Sequence, residues 1–240
     1  MNILITGSSS GIGQQLAKDY LGQGHRVYCC GRDEDSLEKL RSEFPELATP
    51  LVFDIQNLDD CLRAGKEVEQ LDLLILNAGT CEYIDVNDFD AESFARVMAI
   101  NVAGTGNCLQ ALLPKLSAGS VLALMGSSSS FLPLPRAEAY GASKAAIEYL
   151  AKTLAVSLKP KGIHVSYIAP GFVETPLTDL NDFPMPMQVD VQFASAKIRA
   201  GLEKRRRLIH FPRLFTGTLR LLGRLPLGLQ FALLGRTLRR

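Results

Sequence analysis

Apolar residues along most of the chain alternate between short continuous runs and longer stretches with helical spacing. The runs at 3–6, 71–76 and 120–125 are mostly aliphatic, which is typical of buried strands in a parallel sheet. Further strands are predicted at 24–32, 51–54, 163–168 and 208–212, and helices at 14–22, 36–44, 58–69, within 89–113, from Tyr140 to about Lys159, and at 195–207. This alternation predicts an α/β fold, a doubly wound parallel sheet of about seven strands with helices on both faces.

The first predicted strand runs into a glycine-rich loop. Gly7, Gly11 and Gly13 follow Thr6 with the spacing Gly-x-x-x-Gly-x-Gly, and a helix begins directly after them. A strand, a glycine loop and a helix in this order place backbone N–H groups and a helix N-terminus against a phosphate. The spacing differs from the Gly-x-Gly-x-x-Gly dinucleotide fingerprint, and no Gly-Lys-Ser/Thr of a P-loop follows. An ordinary glycine-rich βα turn therefore stays the alternative.

Charged residues after the second and third strands bear on how an adenosine would be held. In a Rossmann-type sheet, an acid at the end of the second strand binds the ribose 2′-hydroxyl, whereas an Arg suits the 2′-phosphate of NADP. Arg32 ends this strand and favours NADP(H) over NAD(H); Asp33 would be the ribose acid if the strand ended later. Asp54, after the third strand, either faces the adenine or caps a turn.

Tyr140 and Lys144 lie four residues apart near the start of a predicted helix. One helical face would therefore carry a phenol and an ammonium. A free Tyr has a pKa of about 10, and a neighbouring cation lowers that pKa, so the pair can provide a usable acid or base. The same spacing is common on solvated helix faces, so the interpretation depends on the residues around the pair.

An ordered set of short motifs resembles the short-chain dehydrogenase/reductase (SDR) family. In chain order the motifs are Thr6-Gly7-x-x-x-Gly11-Ile12-Gly13, Asn77-Ala78-Gly79, Asn101, a Ser after the fifth strand, Tyr140-x-x-x-Lys144 and Pro170-Gly171-x-x-x-Thr175. Each motif alone is weak, but their order and spacing over about residues 1–180 are those of the family. His164 and Ser166 depart from it, because the family usually carries Arg and Asn there.

The resemblance implies a role for each matched residue. Tyr140 would be the acid in carbonyl reduction and the base in alcohol oxidation, and Lys144 would hold the nicotinamide ribose and lower the Tyr140 pKa. Ser127, with Ser128 as the alternative, would bind the substrate oxygen. Asn101 would hold a relay water, unless it only kinks or caps its helix. The cofactor site would comprise Tyr140, Lys144, Gly7, Ser9, Ser10, Gly11, Ile12, Gly13, Arg32, Asp54, Asn77, Ala78, Gly79, Pro170, Gly171, Val173 and Thr175.

Composition changes after residue 176. Residues 176–200 are rich in Leu, Met and Phe. The resemblance implies that these residues cover the substrate, and their apolar character then favours a hydrophobic substrate. Plain packing of the segment on the core is the alternative.

The basic charge is concentrated at the end of the chain. Residues 197–240 carry twelve Lys or Arg and one acid, a net charge of +11, whereas residues 1–196 carry −10. We expect one catalytic domain over 1–213 and a basic amphipathic extension over 214–240. That extension would lie on an anionic membrane, pack on another subunit or pack on this chain's acidic body.

Together these expectations predict an oxidoreductase that moves a hydride between a nicotinamide cofactor and a small-molecule carbonyl or alcohol. NADP(H) is favoured as the cofactor, and NAD(H) is the alternative. A catalytically silent nucleotide-sensing or scaffold protein on the same fold is the alternative, and a sugar-nucleotide epimerase or dehydratase is a further one. Five cysteines without a Cys-x-x-Cys, and a start without a secretory leader, favour a cytoplasmic protein, with peripheral contact to the inner face of a membrane left open. Homodimers or homotetramers are implied by the resemblance alone, and neither a metal nor nucleic acid is expected.

Overall fold

The computed structural model describes residues 1–179 and 181–235. Leu180, in the predicted substrate-covering segment, and residues 236–240, in the predicted extension, lie outside the described part. Strands and helices alternate along most of the chain, as the apolar pattern predicts. The strands of the described part are β1 (Asn2–Thr6), β2 (Arg26–Gly31), β3 (Ala48–Val52), β4 (Leu71–Leu76), β5 (Leu116–Met125), β6 (His164–Pro170) and β7 (Leu208–Phe211).

The strands form one sheet in the order β3-β2-β1-β4-β5-β6-β7, and every neighbouring pair is parallel. The chain returns to the middle of the sheet between β3 and β4, so the strand order reverses between β1 and β4. Ligands of open α/β sheets bind outside the carboxyl ends of the strands at such a reversal. The topology therefore predicts a ligand site at the residues that follow β1 and β4.

Helices cover both faces of the sheet. The helices of the described part are α1 (Gly11–Gly22), α2 (Glu34–Glu43), α3 (Leu58–Glu67), α4 (Ala91–Met98), α5 (Gly104–Leu112), α6 (Glu138–Ser157), α7 (Val191–Glu203), α8 (Arg213–Leu222) and α9 (Leu227–Leu234). A π-helical turn, Ala99–Ala103, joins α4 to α5, and single 3₁₀ turns occur at Leu113–Lys115, Ser128–Ser130 and Lys159–Lys161.

Side-chain alternation along the strands divides the core into two layers. In β1, Leu4 packs with residues of α3, α5 and α6, whereas Ile3 and Ile5 pack with residues of α1, α2 and α7 on the other face. Successive strand residues point to opposite faces, so continuous apolar runs are what a sheet buried on both sides needs. The predicted α/β fold with helices on both faces is confirmed.

Several predicted boundaries differ from the structure, and two of them affect the interpretation. The third strand runs from Ala48 to Val52 rather than over 51–54, so Asp54 lies two residues beyond it. Pro50 lies within this strand because β3 is at the edge of the sheet, where a missing N–H is tolerated. The predicted boundary at 213/214 falls inside a helix, since α8 begins at Arg213 and is tied to β7 by the 2.7 Å contact between His210 Nδ1 and Thr216 Oγ1.

Candidate active site

The loop between β1 and α1 is a cradle that side chains would fill. Gly7 and Gly11 adopt φ angles of +70° and +53°, a region that favours glycine. A Cβ atom on Gly13 would lie 2.0 Å from the Gly7 carbonyl oxygen, so this position must also lack a side chain for α1 to pack on the loop. Asn77 Nδ2 donates to Thr6 O (3.0 Å) and Gly7 O (3.2 Å), which ties the loop to the end of β4.

The N-terminus of α1 differs from those of the next three helices. Asp33, Asn57 and Asp90 cap α2, α3 and α4 by accepting hydrogen bonds from first-turn N–H groups. Ser10 at the start of α1 makes no such side-chain hydrogen bond, and no acid lies in the first turn. A helix end of this kind, facing a glycine cradle, fits a phosphate group of a dinucleotide.

Arg32 and Asp54, rather than Asp33, lie at the adenosine end of the predicted cofactor site. Asp33 accepts hydrogen bonds from Ser36 N (3.2 Å) and Ser36 Oγ (2.6 Å) as a helix cap, and it does not line the cavity described next. β2 ends at Gly31, so the strand does not extend far enough for Asp33 to serve as the ribose acid. Arg32 Nη1 lies 3.8 Å from Asp54 Oδ2, and its side chain is 71% exposed.

A cavity of about 370 Å³ lies along the carboxyl ends of the strands. Of the predicted residues, it is lined by Gly7, Ser9, Ser10, Gly11, Ile12, Arg32, Asp54, Asn77, Ala78, Gly79, Ser127, Tyr140, Lys144, Pro170, Gly171, Val173 and Thr175. The predicted residues that do not line it are Gly13, Asn101 and Ser128. Gly13 lies against the Gly7 carbonyl group, where the missing side chain lets α1 pack closely on the loop. Ser128 is buried.

Tyr140 and Lys144 project from the first turns of α6 into this cavity. Lys144 Nζ donates to Met125 O (3.1 Å) and lies 5.6 Å from the centre of the Tyr140 ring. Burial lowers the pKa of Lys144 to about 8, against a smaller opposing effect of Cys81. Burial also raises the pKa of Tyr140, and this effect exceeds the lowering by a hydrogen bond from Ser127. Desolvation of the phenolate therefore dominates the pKa of Tyr140, and a lowering of that pKa by Lys144 stays a prediction.

Asn101 braces the site from the π-helical turn. Its Oδ1 accepts from Thr80 N (2.8 Å), and its Nδ2 donates to Thr80 O (2.9 Å) and Ser143 Oγ (2.9 Å). Ser143, next to Lys144, in turn donates to Tyr140 O at 2.7 Å. These contacts join the loop after β4 to the start of α6, so a bracing role has direct support, and the relay water stays a prediction.

Ser127, rather than Ser128, is presented to the cavity. Ser127 lines the cavity and makes the hydrogen bond with Tyr140, and its Oγ also accepts from Ser129 N at 3.1 Å. Ser128 is only 5% exposed. Of the two serines left open by the sequence, the geometry favours Ser127 as the one that could meet a substrate oxygen.

The family model described as short chain dehydrogenase matches residues 1–182. This chain belongs to the short-chain dehydrogenase/reductase family. It is an oxidoreductase of that family, and the resemblance carried by the motifs is confirmed. An uncharacterized oxidoreductase of Staphylococcus epidermidis is 33% identical over 196 residues, which cover 79% of this chain and 85% of that protein.

Solved SDR structures have the same fold. A short-chain dehydrogenase from Streptomyces avermitilis superposes with a TM-score of 0.82 at 23% identity, covering 92% of this chain and 90% of that one. A short-chain dehydrogenase from Sphingobium yanoikuyae, solved in complex with NADPH, gives 0.79 at 23% identity and covers 94% and 96%. At these identities the likeness shows the fold, and it agrees with the parallel sheet described above.

Tyr167, in the middle of β6, contacts Ser127 of the SDR site, and the sequence did not reveal this contact. Its hydroxyl accepts from Ser127 N (3.3 Å) and lies 3.3 Å from Ser127 O and 2.9 Å from Ser130 Oγ. Ser130 Oγ also lies 2.6 Å from Glu148 Oε2. A Cβ atom on Gly126 would lie 2.0 Å from the Tyr167 hydroxyl, so glycine at 126 makes room for this contact. The only sequence signal was a tyrosine in a buried strand, whose hydroxyl needs a partner.

Further lining residues were missing from the sequence prediction. Most are chain neighbours of predicted residues or the last residues of strands, so the signal was their position rather than their type. They are Thr6, Cys30, Gly31, Phe53, Ile55, Gln56, Thr80, Ile100, Met125, Gly126, Pro176, Leu177 and Thr178. Within residues 1–179 and 181–235, no group of three or more His, Cys, Asp or Glu side chains is placed to hold a metal ion.

Proposed function

We propose that this SDR transfers a hydride between NADP(H) and the carbonyl or alcohol carbon of a small molecule. The observation that carries the proposal is the convergence of Ser127, Tyr140 and Lys144 on the cavity that the β1–α1 loop also lines. Oxidation of NADPH with a panel of ketones and aldehydes tests it. A complete lack of turnover with the panel, in either direction, would favour the catalytically silent alternative.

Each side chain has a distinct task in this proposal. NADPH would supply the hydride; the protein orients the reacting groups and moves the proton. Tyr140 donates its phenolic proton to the carbonyl oxygen, and its raised pKa keeps it protonated before the reaction. Ser127 donates a hydrogen bond to the same oxygen, and Lys144 binds the ribose hydroxyls. In alcohol oxidation Tyr140 takes the proton back.

The proposed preference for NADP(H) over NAD(H) depends on the residues at the adenosine end of the cavity. The exposed guanidinium of Arg32 reaches that end, where a phosphate on the ribose would form charge-assisted hydrogen bonds with it. Ser9 Oγ would lie 3.3 Å from a Cβ atom on Gly31, so a hydroxyl is available beside Arg32. The NADPH bound by the Sphingobium relative is consistent with this preference.

Arg32→Ala is expected to raise the KM for NADPH about 10- to 100-fold, because a hydrogen bond to a charged group contributes about 1.5–3 kcal/mol. The KM for NADH should change less than about twofold, since NADH lacks the 2′-phosphate that the guanidinium would bind. Arg41→Ala is the matched control, because Arg41 is an exposed arginine of α2 that pairs with Glu38 and does not line the cavity. An equal rise in KM for NADPH and NADH would show that Arg32 does not recognise the 2′-phosphate.

We propose that the segment that covers the substrate is the loop before α7 rather than the whole of residues 176–200. Residues 191–200 belong to α7, and Ala194 and Ile198 of this helix are fully buried in the core. The preceding loop meets the site through Pro176 and Leu177, and is held by Arg136, whose Nη1 lies 2.8 Å from Asp182 Oδ1. We propose a hydrophobic substrate on the apolar character of this loop. Turnover confined to small, highly polar carbonyls in the panel would contradict that choice.

Tyr167→Phe is expected to lower kcat about 5- to 10-fold while KM stays within about twofold, since it removes hydrogen bonds of about 1 kcal/mol that hold Ser127. The effect is on positioning, because Tyr167 does not line the cavity. Tyr28→Phe is the control: the Tyr28 hydroxyl accepts a hydrogen bond from Glu69 N at 3.3 Å, far from Ser127 in the sheet order. Equal kcat values for both variants would show that the Tyr167 hydroxyl does not orient Ser127.

A further inference from the structure

Helix α9 has its polar residue inside and its apolar residues outside. Gln230 is 6% exposed, and its Nε2 donates to Gly223 O (3.2 Å) and Leu225 O (2.7 Å). The large exposed residues of the helix, by contrast, are apolar, with exposures between 42% and 64%: Leu227, Leu229, Phe231 and Leu233. A helix on a water-facing surface normally has the opposite arrangement.

Helix α8 presents leucines and arginines side by side. Leu214 and Leu221, seven residues apart, are 73% and 65% exposed. Arg213 and Arg220 directly precede them and are also exposed. Residues seven apart lie on nearly the same side of a helix, so a stripe of arginine runs beside a stripe of leucine. We call the exposed residues of α8 and α9, together with Arg224, the C-terminal face.

Charge and size restrict what could cover the C-terminal face. Residues 204–240 contain ten Lys or Arg and no acid, so the partner should be anionic. Exposed leucines beside the arginines of α8 require an apolar phase next to the anionic groups. Helices of ten and eight residues are about 15 and 12 Å long, and within the described ranges no helix is long and apolar enough to cross a membrane. A bilayer surface meets both requirements without being spanned.

We propose that the C-terminal face docks on a lipid bilayer that carries anionic headgroups. Leu214, Leu221, Leu229 and Phe231 enter the boundary between headgroups and acyl chains, and Arg213, Arg220 and Arg224 contact the headgroup anions. This docking is independent of the proposed oxidoreductase activity, because neither α8 nor α9 contributes a residue to the catalytic cavity. It would place the protein at the membrane surface whatever its substrate.

Cosedimentation of the full-length chain with vesicles tests the proposal. We expect binding to vesicles of phosphatidylcholine mixed with phosphatidylserine, weaker binding to phosphatidylcholine alone, and weakening by salt. The double variant Leu229→Ser/Phe231→Ser should lower the partition coefficient at least about tenfold per residue, since burial of a large apolar side chain is lost. Arg213→Gln/Arg220→Gln should lower it about fivefold per arginine, and only for anionic vesicles.

Tyr149→Ser/Val156→Ser is the matched control, because these apolar residues of α6 are 72% and 74% exposed but lie outside the C-terminal face. The control should bind vesicles as the wild type does, and unchanged thermal unfolding checks that every variant folds. Absent binding of the wild type to anionic vesicles, or equal binding by all variants, would overturn the proposal. A change in molar mass by light scattering in the C-terminal variants, without vesicle binding, would instead assign the face to contacts between copies of this chain.

Discussion

Replacing Tyr140 with Phe is expected to lower kcat for carbonyl reduction by about 10²- to 10⁴-fold, the usual contribution of a positioned acid. The substitution removes the phenolic proton and leaves a ring of nearly the same size between Ser127 and Lys144. Ser127 and Lys144 remain to bind the substrate oxygen and the ribose, so affinity for NADPH should change little. The measurement is NADPH oxidation with the best carbonyl of the panel, together with a fluorescence titration of NADPH.

Tyr149→Phe provides the control for that experiment. Tyr149 lies on the same helix, nine residues further on, and its side chain is 72% exposed. Its kcat should equal that of the wild type. If Tyr140→Phe also kept wild-type kcat with intact cofactor binding, Tyr140 would have no part in proton transfer, although the proposed cofactor site would stand.

Lys144→Met is expected to abolish most turnover and, at the same time, to stabilise the fold. The buried ammonium has its pKa lowered from 10.5 to about 8, and that shift corresponds to roughly 3 kcal/mol of unfavourable charge burial at pH 7. Methionine fills similar space without a charge, but it leaves Met125 O without this donor, which costs about 1 kcal/mol. The net gain of about 2 kcal/mol should raise Tm by roughly 4–8 °C for a chain of this size.

The pH dependence of this gain has a definite sign. Between pH 8 and 10.5 the unfolded chain holds a proton on Lys144 that the folded chain has already released. Wild-type stability therefore rises with pH across this window. The advantage of Lys144→Met should be largest at pH 7 and should shrink steadily between pH 8 and 10.5.

Lys152→Met is the control for the stability experiment, because Lys152 lies on the same helix with its side chain 70% exposed. Its Tm should stay near that of the wild type at every pH, apart from the small loss of its ion pair with Glu148. Thermal unfolding followed by circular dichroism at a series of pH values gives both comparisons. A lower Tm for Lys144→Met at pH 7 would show that Lys144 is held by interactions that outweigh its desolvation.

Local features of this protein were the most predictable from sequence. The glycine loop needs positive φ angles at Gly7 and Gly11. Glycine adopts such angles readily, so the residue types at these two closely spaced positions were enough to predict the loop. The four-residue separation of Tyr140 and Lys144 likewise places both on one face of any helix that includes them. These patterns identified most of the cavity lining before any contact between distant residues was known.

Contacts between distant residues were not predictable in the same way. Tyr167 reaches Ser127 because β5 and β6 are neighbours in register and because residue 126 is a glycine. Asn101 braces Thr80 and Ser143, which lie 21 and 42 residues away in the chain. The upward shift of the Tyr140 pKa depends on how much water the folded site excludes. The spacing of residues in the sequence does not predict how much water is excluded.

Short-range patterns were enough to predict the alternation of strands and helices, the glycine cradle and the Tyr140–Lys144 pair, because backbone preference and side-chain periodicity act over a few residues. The folded structure was needed to show that Asp33 caps a helix, that Ser127 rather than Ser128 meets the cavity, and that α9 turns its leucines outward. Each of these depends on which surfaces the fold buries, and burial is set by packing between elements far apart in the chain.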